Sequence, residues 1–280
     1  MIENTYFCEP YLNYCKTGVI FFRVSRYLQY LLFSRHRKGH GIHSPYVFDL
    51  LSRVFRNKID PDIVLTIENI RKKSTSDKRT IYVLDPGAGS SKMKTSLRKV
   101  SQIAKYSAVP RKYGLLLASL AAEFGKPVII EFGTSLGIST MYLASSCPDA
   151  LVYTMEGSSS ISEIAKENFS QAGIGNIRLL KGSFDELIPE LKKVATRPGL
   201  VFIDGNHKKE PVLKYFSEMA EISGKGTVII LDDIHYSTEM EEAWKEIKKH
   251  ENVTFTVDLY RMGLAFFREG MSRFDYVIRY

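Results

Sequence analysis

The chain has 280 residues, 44% hydrophobic and 25% charged, which is ordinary for a soluble globular protein and unlike low-complexity or collagen-like sequences. Three cysteines, Cys8, Cys15 and Cys147, form neither a disulfide framework nor a metal-ligand cluster, so a reduced, cytoplasmic protein is expected. The net charge of +8 is uneven: residues 1–115 hold 21 Lys and Arg against 8 Asp and Glu, whereas residues 116–280 hold 18 against 23. Such asymmetry suits an anionic partner, the acidic second half of the same chain, or a solvated basic face.

The first candidate element, "TGVIFFRVSRYLQYLLF" at 17–33, is interrupted by Arg23 and Arg26. It reads as a mixed amphipathic helix rather than a membrane span or a signal peptide. The basic loop "SRHRKGHGIHSP" follows, with Arg35, Arg37, Lys38, His40 and His43. It suits a substrate phosphate or carboxylate, or plain solvation. Pro45 is placed to start a helix over 46–56, and a second helix is expected over 61–73. The segment "TIYVLD" (80–85) reads as a short strand, and 96–107 and 110–125 as helices.

From residue 127 the pattern becomes regular. Apolar runs at 127–133, 151–157, 177–182, 200–205 and 226–233 alternate with helical stretches at 138–147, 160–173, 184–195, 210–223 and 238–250. That alternation indicates βαβ units and a parallel sheet covered on both faces. The last two runs, 253–260 and 262–269, are joined by almost nothing and must pair antiparallel. The expected fold is α/β: a Rossmann-like, doubly wound, mostly parallel sheet of seven strands with a C-terminal antiparallel hairpin. A mainly helical basic region (1–115) would precede the sheet domain (116–280).

Two stretches resemble cofactor loops. "VIIEFGTSLGIST" (128–140) has a strand ending at Glu131, glycines at 133 and 137, a helix start near Ile138, and a next strand ending in Glu156. Glycines let backbone approach a ligand, helix-start amides meet its anionic group, and an acid on the next strand accepts from a ribose. Ser135 stands where a dinucleotide fold wants glycine, which argues for a nucleoside cofactor without a pyrophosphate. "YVLDPGAGSSK" (82–92) has no following strand ending in an acid. It reads as a strand-to-helix turn or as a lid over the site.

With these features the sequence over about 125–280 resembles class I S-adenosylmethionine-dependent methyltransferases. It is most similar to the metal-dependent O-methyltransferases of the catechol and macrocin types. The resemblance implies S-adenosyl-L-methionine as cofactor. Glu131, Gly133, Thr134, Ser135, Gly137 and Ser139 would shape its pocket, with Ser139 on the cofactor's carboxylate. Glu156 and Gly157 would meet the ribose, and Ser183, Phe184 and Asp185 would form the adenine segment. It also implies Mg²⁺ or another divalent cation on Asp204, Asp232 and Asp233, in "FIDGNH" and "LDDIH". Hard oxygen donors suit that ion, which would polarise a bound hydroxyl. Asp204 and His207 would be catalytic, with His207 as base, because an imidazole titrates near neutrality.

Each assignment has a plainer alternative: a surface-loop histidine for His207, and turn or helix-capping acids for Asp232 and Asp233. His235 is a loop histidine or a further site residue, and Phe216, Tyr236 and Trp244 read as packing. The expected function is O-methylation of a small hydroxylated molecule. A nucleic-acid methyltransferase using the basic region is the second reading, although "IDGNH" is not the Pro-Pro-aromatic motif of amino-methylating DNA enzymes and no Pro-Cys nucleophile follows. A non-catalytic, peripheral membrane-surface or partner-binding protein is the third. Neither substrate identity nor oligomeric state is legible.

Overall fold

Prolines punctuate the first helices of the computed structural model, which describes residues 22–34, 42, 44–56, 59–83 and 96–280. After α1 (residues 22–33), Pro45 opens α2 (Pro45–Arg56) and Pro61 opens α3 (Pro61–Ser76). At a first helical position the missing N–H has no intrahelical partner to lose. Asp60 caps α3, its carboxylate accepting from the Asp62 amide at 2.9 Å.

The chain then forms a small antiparallel pair, β1 (Thr80–Tyr82) with β2 (Leu97–Lys99). Residues 97–99 were expected to be helical. Instead the ladder with β1 occupies their backbone groups, and α4 begins only at Val100 (Val100–Ser107). The Gly-rich stretch therefore joins two antiparallel strands rather than a strand to a helix, and from residue 84 to 95 it lies outside the described residues. The basic-loop residues Arg35, Arg37, Lys38, His40 and His43 also lie outside them.

After α5 (Arg111–Phe124) come β3 (Val128–Phe132), α6 (Ile138–Ser146), β4 (Leu151–Glu156), α7 (Ser159–Ala172) and β5 (Ile177–Lys181). Then follow α8 (Phe184–Val194), β6 (Leu200–Ile203), α9 (Lys209–Ile222), β7 (Val228–Leu231) and α10 (Thr238–Ile247). The chain ends with β8 (Phe255–Asp258), β9 (Gly263–Phe266) and β10 (Phe274–Val277). The sheet order is β10-β8-β9-β7-β6-β3-β4-β5, with β9 antiparallel to both neighbours and every other pair parallel.

The seven expected strands are present, and β10 adds an eighth beside β8. Its first two residues are exposed and only Tyr276 is buried, an edge-strand pattern with little apolar signal to read.

The buried strands divide their side chains between the two faces, as a period of two requires. Leu200, Phe202, Val228 and Ile230 enter the cluster shared with α2, α3, α5 and α6. Val201, Ile203, Ile229 and Leu231 enter the cluster under α8, α9 and α10, where Phe216 and Trp244 also pack. The division expected at residue 115 falls inside α5, and the first cluster joins helices from both sides of it.

Helix α1 is bonded to the residues that follow β10. Buried Tyr30 donates to the Ile278 carbonyl at 2.7 Å and accepts from the Tyr280 amide at 2.9 Å, while Arg26 pairs with Glu241 at 2.7 Å. Arg53 reaches Glu123 and Arg79 reaches Glu167. Basic residues of the first half thus meet acidic residues of the second, one of the readings of the charge asymmetry.

Phe202 is fully buried at the centre of the sheet. Phe202→Ala is expected to destabilise the protein by about 3–5 kcal/mol, read from urea unfolding. A change below about 1 kcal/mol would mean that this face of the sheet is not packed as described.

Candidate active site

The register of the parallel strands builds the site. Glu131 on β3 lies opposite Thr154 on β4 and Phe202 on β6, and Ile203 lies opposite Leu231 on β7. The residues just past these strands, Gly133, Asp204 and Asp232, therefore emerge side by side at the carboxyl edge, where doubly wound sheets bind ligands.

The turn after β3 is held from β4. The Gly133 and Thr134 amides donate to the Met155 carbonyl at 3.1 and 3.0 Å. Gly133 has φ +99°, and a Cβ there would lie 2.2 Å from the Asp204 carbonyl oxygen, so no side chain fits. Gly137 caps α6 with φ +81° against the Phe169 ring. Ser135, between them, also has positive φ, at 48°. Its amide donates to Glu156 Oε2 and the Ser158 amide to Oε1, both at 2.9 Å. Glu156 is thereby fixed across the first loop, with Gly157 beside it.

Glu131 is fully buried. Its Oε2 accepts from Thr140 at 2.5 Å and from Thr154 at 2.6 Å. Burial outweighs these bonds and pushes the group up to about 7. Its Oε1 is buried without a hydrogen-bond partner among the described residues. An unmet acceptor beneath a glycine turn fits a cofactor that brings its own donor. The segment at β5–α8 is more mixed. Ser183 caps α8 in a reciprocal box with Glu186, the Phe184 ring lies close to Gly205 and meets Phe132 edge-on, and Asp185 pairs with Lys214 on the surface.

Across the sheet edge, Asp204 sits with Oδ1 3.7 Å from His207 Nε2, and His207 faces the Tyr236 ring at 6.0 Å. Burial, then the charges of Asp232 and Asp233, hold the Asp204 carboxyl well above the usual carboxylate range. Burial and Asp232 likewise raise Asp233. His235 bonds Glu241 at 2.9 Å and Asp258 at 2.8 Å. Burial works against its charge, yet these two carboxylates lift it to about 9, so it ties α10 to β8 as a partly buried cation.

The three proposed metal ligands come to one edge, but Asp232 is already engaged. Arg261 Nε lies 2.9 Å from Asp232 Oδ1 and its Nη2 lies 2.6 Å from Oδ2, so both carboxylate oxygens accept from one guanidinium. Arg261 Nε is also 3.6 Å from Asp233 Oδ1. Among the described residues, no group of three His, Cys, Asp or Glu is arranged to hold a metal ion. The donor set does not fit Mg²⁺ as it stands. The reason is a residue that the sequence reading did not weigh. Arg261 belongs to the β8–β9 turn, assigned there only to closing the fold. Because β8 runs parallel to β6 and β7 in direction, that turn falls on the ligand edge.

Arg23 on α1 was missed in the same way. It bonds the Tyr236 carbonyl at 3.0 Å and stacks 3.7 Å over the Tyr236 ring. Four non-glycine residues with positive φ, Ser135, Asn206, Asp233 and Tyr260, flank this edge, a concentration of backbone strain that marks functional sites.

This sheet order, with a glycine turn after its central strand and an acid after the next, is the class I S-adenosylmethionine-dependent methyltransferase fold, as the sequence resemblance implied. Residues 130–234 match the family described as "Methyltransferase domain". A catechol O-methyltransferase of Niastella koreensis is 28% identical over 124 residues, 43% of this chain and 55% of that protein. One of Mycobacterium tuberculosis is 31% identical over 130 residues, 45% of this chain and 57% of that protein. The chain thus spans little more than half the length of these curated relatives. The O-methyltransferase TomG of Streptomyces achromogenes, solved in complex with SAM, superimposes with a TM-score of 0.53 at 20% identity. The match covers 79% of this chain and 96% of that one, and at this identity it speaks for the fold.

The raised Glu131 group has a consequence for stability. Below about pH 4.5 it is neutral folded and unfolded, and it costs nothing. Between 4.5 and 7 the unfolded chain releases the proton first, so folding stability falls across that window and the penalty then stays constant. In protein without added cofactor, Glu131→Gln should flatten the fall in melting temperature over this range. Parallel wild-type and variant profiles would refute the assignment.

Proposed function

We propose that this protein is an S-adenosylmethionine-dependent O-methyltransferase acting on a hydroxyl of a small molecule, with His207 as the base. The observation that carries this reading is that two half-sites meet on neighbouring strands. The Gly133–Gly137 turn with Glu131 and Glu156 forms one half, and Asp204 with His207 forms the other. The identity to proteins named catechol O-methyltransferases supports a small hydroxylated substrate.

When bound, S-adenosylmethionine supplies an electrophilic methyl: the hydroxyl oxygen forms the C–O bond, the C–S electrons stay on sulfur, and S-adenosylhomocysteine leaves. The chain's own residues divide the remaining work. Glu131 Oε1 and Ser139 would receive the methionine end, where Gly133 leaves no room for a side chain. Glu156, already braced by two amides, accepts from the ribose hydroxyls, with Gly157 alongside. Ser183 and Phe184 flank the base, and Asp185 borders it from the surface. The His207 imidazole takes the hydroxyl proton, with Asp204 Oδ1 3.7 Å from its Nε2.

Mg²⁺ assistance is not part of this reading, because Arg261 holds both oxygens of Asp232. The nucleic-acid and membrane-surface readings have no comparable support. Arg26, Arg53 and Arg79 are engaged with acidic residues of the same chain. No helix among the described residues is long and apolar enough to cross a membrane.

Calorimetry with S-adenosylhomocysteine tests the reading directly. Wild-type protein should bind one equivalent, and Glu156→Ala should weaken binding about 10- to 100-fold, the worth of a charge-assisted hydrogen bond. Absence of wild-type binding would sink the proposal. With radiolabelled S-adenosylmethionine and a panel of small hydroxylated acceptors, His207→Gln should lower kcat by about 10²–10⁴ and leave KM little changed. Unchanged kcat would remove His207 from the base role.

A further inference from the structure

We propose that Arg261 is the resident cation of this site: its guanidinium occupies the place that a divalent metal would take among Asp204, Asp232 and Asp233, and the protein works without such a metal. The inference concerns the same site as the methyl-transfer reading and rests on that reading only for what the site does. The geometry stands apart from it.

Three observations point this way. First, the contact is bidentate: Nε and Nη2 each face one oxygen of Asp232, at 2.9 and 2.6 Å, in the fork geometry that matches guanidinium to carboxylate. Asp232 is 1% exposed, so its carboxylate is desolvated, while the Arg261 side chain stays partly exposed. A hard cation would need those same oxygens and would meet the guanidinium's charge on arrival.

Second, the arginine is built in. The turn between β8 and β9 is closed by the Leu259 amide on the Met262 carbonyl, at 2.9 Å. The Arg261 amide donates to the Leu259 carbonyl at 2.9 Å, and the Arg261 carbonyl accepts from the Ile234 amide at 3.1 Å. Tyr260 takes a positive φ of 69° within the turn, and its amide donates to Asp258 Oδ1 at 2.8 Å. The Arg261 guanidinium also lies 5.6 Å over the Tyr113 ring of α5. Backbone on two sides and an aromatic face on the third fix the side chain where it is.

Third, the same nitrogen that meets Asp232 lies 3.6 Å from Asp233 Oδ1, so one cation spans both carboxylates of the "DD" pair. That bridging is the electrostatic task expected of a metal at this position.

The test uses the full chain and Mn²⁺ as an oxygen-seeking, paramagnetic probe, with free and bound ion separated by electron paramagnetic resonance. Wild type should hold Mn²⁺ no better than Asp232→Asn, with or without S-adenosylhomocysteine. Arg261→Ala, or Arg261→Gln if the first variant folds poorly, should gain a site at least tenfold tighter, and adding Asp232→Asn should abolish the gain. A wild type that binds one Mn²⁺ and loses it in Asp232→Asn would overturn the proposal, because the metal would then displace the arginine. Failure of both wild type and the Arg261 variants to bind would also overturn it, since the carboxylates would offer no metal place to fill. Calorimetry with S-adenosylhomocysteine on the same samples separates this result from the methyl-transfer reading. Loss of that binding sinks the activity and leaves the Mn²⁺ comparison intact.

Discussion

Crowding of carboxylates at one sheet edge is the constraint around which the site is organised. Parallel register places Glu131, Asp204 and Asp232 at the ends of adjacent strands, and Asp233 follows directly. Two like charges about 4 Å apart repel by about 4 kcal/mol at an effective dielectric of about 20, so a buried cluster cannot carry them all unaided. The protein answers each one differently. Glu131 is surrounded by hydroxyls and left with one unmet acceptor. Asp232 takes a guanidinium. Asp204 and Asp233 are pushed towards the protonated form by burial and by their neighbours. Glycine 133 makes the crowding possible, because only a residue without Cβ lets β3 end against the Asp204 carbonyl.

The first half of the chain completes the edge that the sheet leaves open. Arg23 of α1 covers the Tyr236 ring, and its carbonyl accepts from Tyr260 at 2.8 Å, one residue before Arg261. Tyr27 and Tyr30 of that helix form an aromatic cluster with Tyr260 and His235. The helix is therefore tied to the turn that holds the arginine and to the loop after β7. Its basic residues serve this docking, which accounts for part of the charge asymmetry without an external anion.

The alternation of apolar runs and helical stretches from residue 127 onward carried seven of the strands and their mostly parallel sheet, because buried parallel strands and amphipathic helices have distinct periods. Gly133 and Gly137 were legible for a related reason: each occupies a turn position that backbone geometry restricts to few residue types. Arg261 was not legible, since its role comes from the direction of β8, and no local pattern marks an arginine in a hairpin turn as a ligand of an aspartate 29 residues away. Residues 97–99 were misread as helix because their pairing with β1 is a tertiary contact. The edge strand β10 escaped notice because exposed residues carry no apolar alternation.

Ser135 decides what kind of ligand the glycine turn can take. In a dinucleotide fold the amides at such a turn face a pyrophosphate. Here the Ser135 amide is already given to the Glu156 carboxylate, as is the Ser158 amide at the start of α7. An anionic pyrophosphate brought to this turn would meet a fixed negative charge and find two of the nearest donors engaged. A cofactor presenting hydroxyls to Glu156 and a donor to Glu131 meets no such repulsion, because both carboxylates accept what it offers. Glu156, the last residue of β4, thus braces the glycine turn through the amide of the residue that stands where a dinucleotide site keeps glycine.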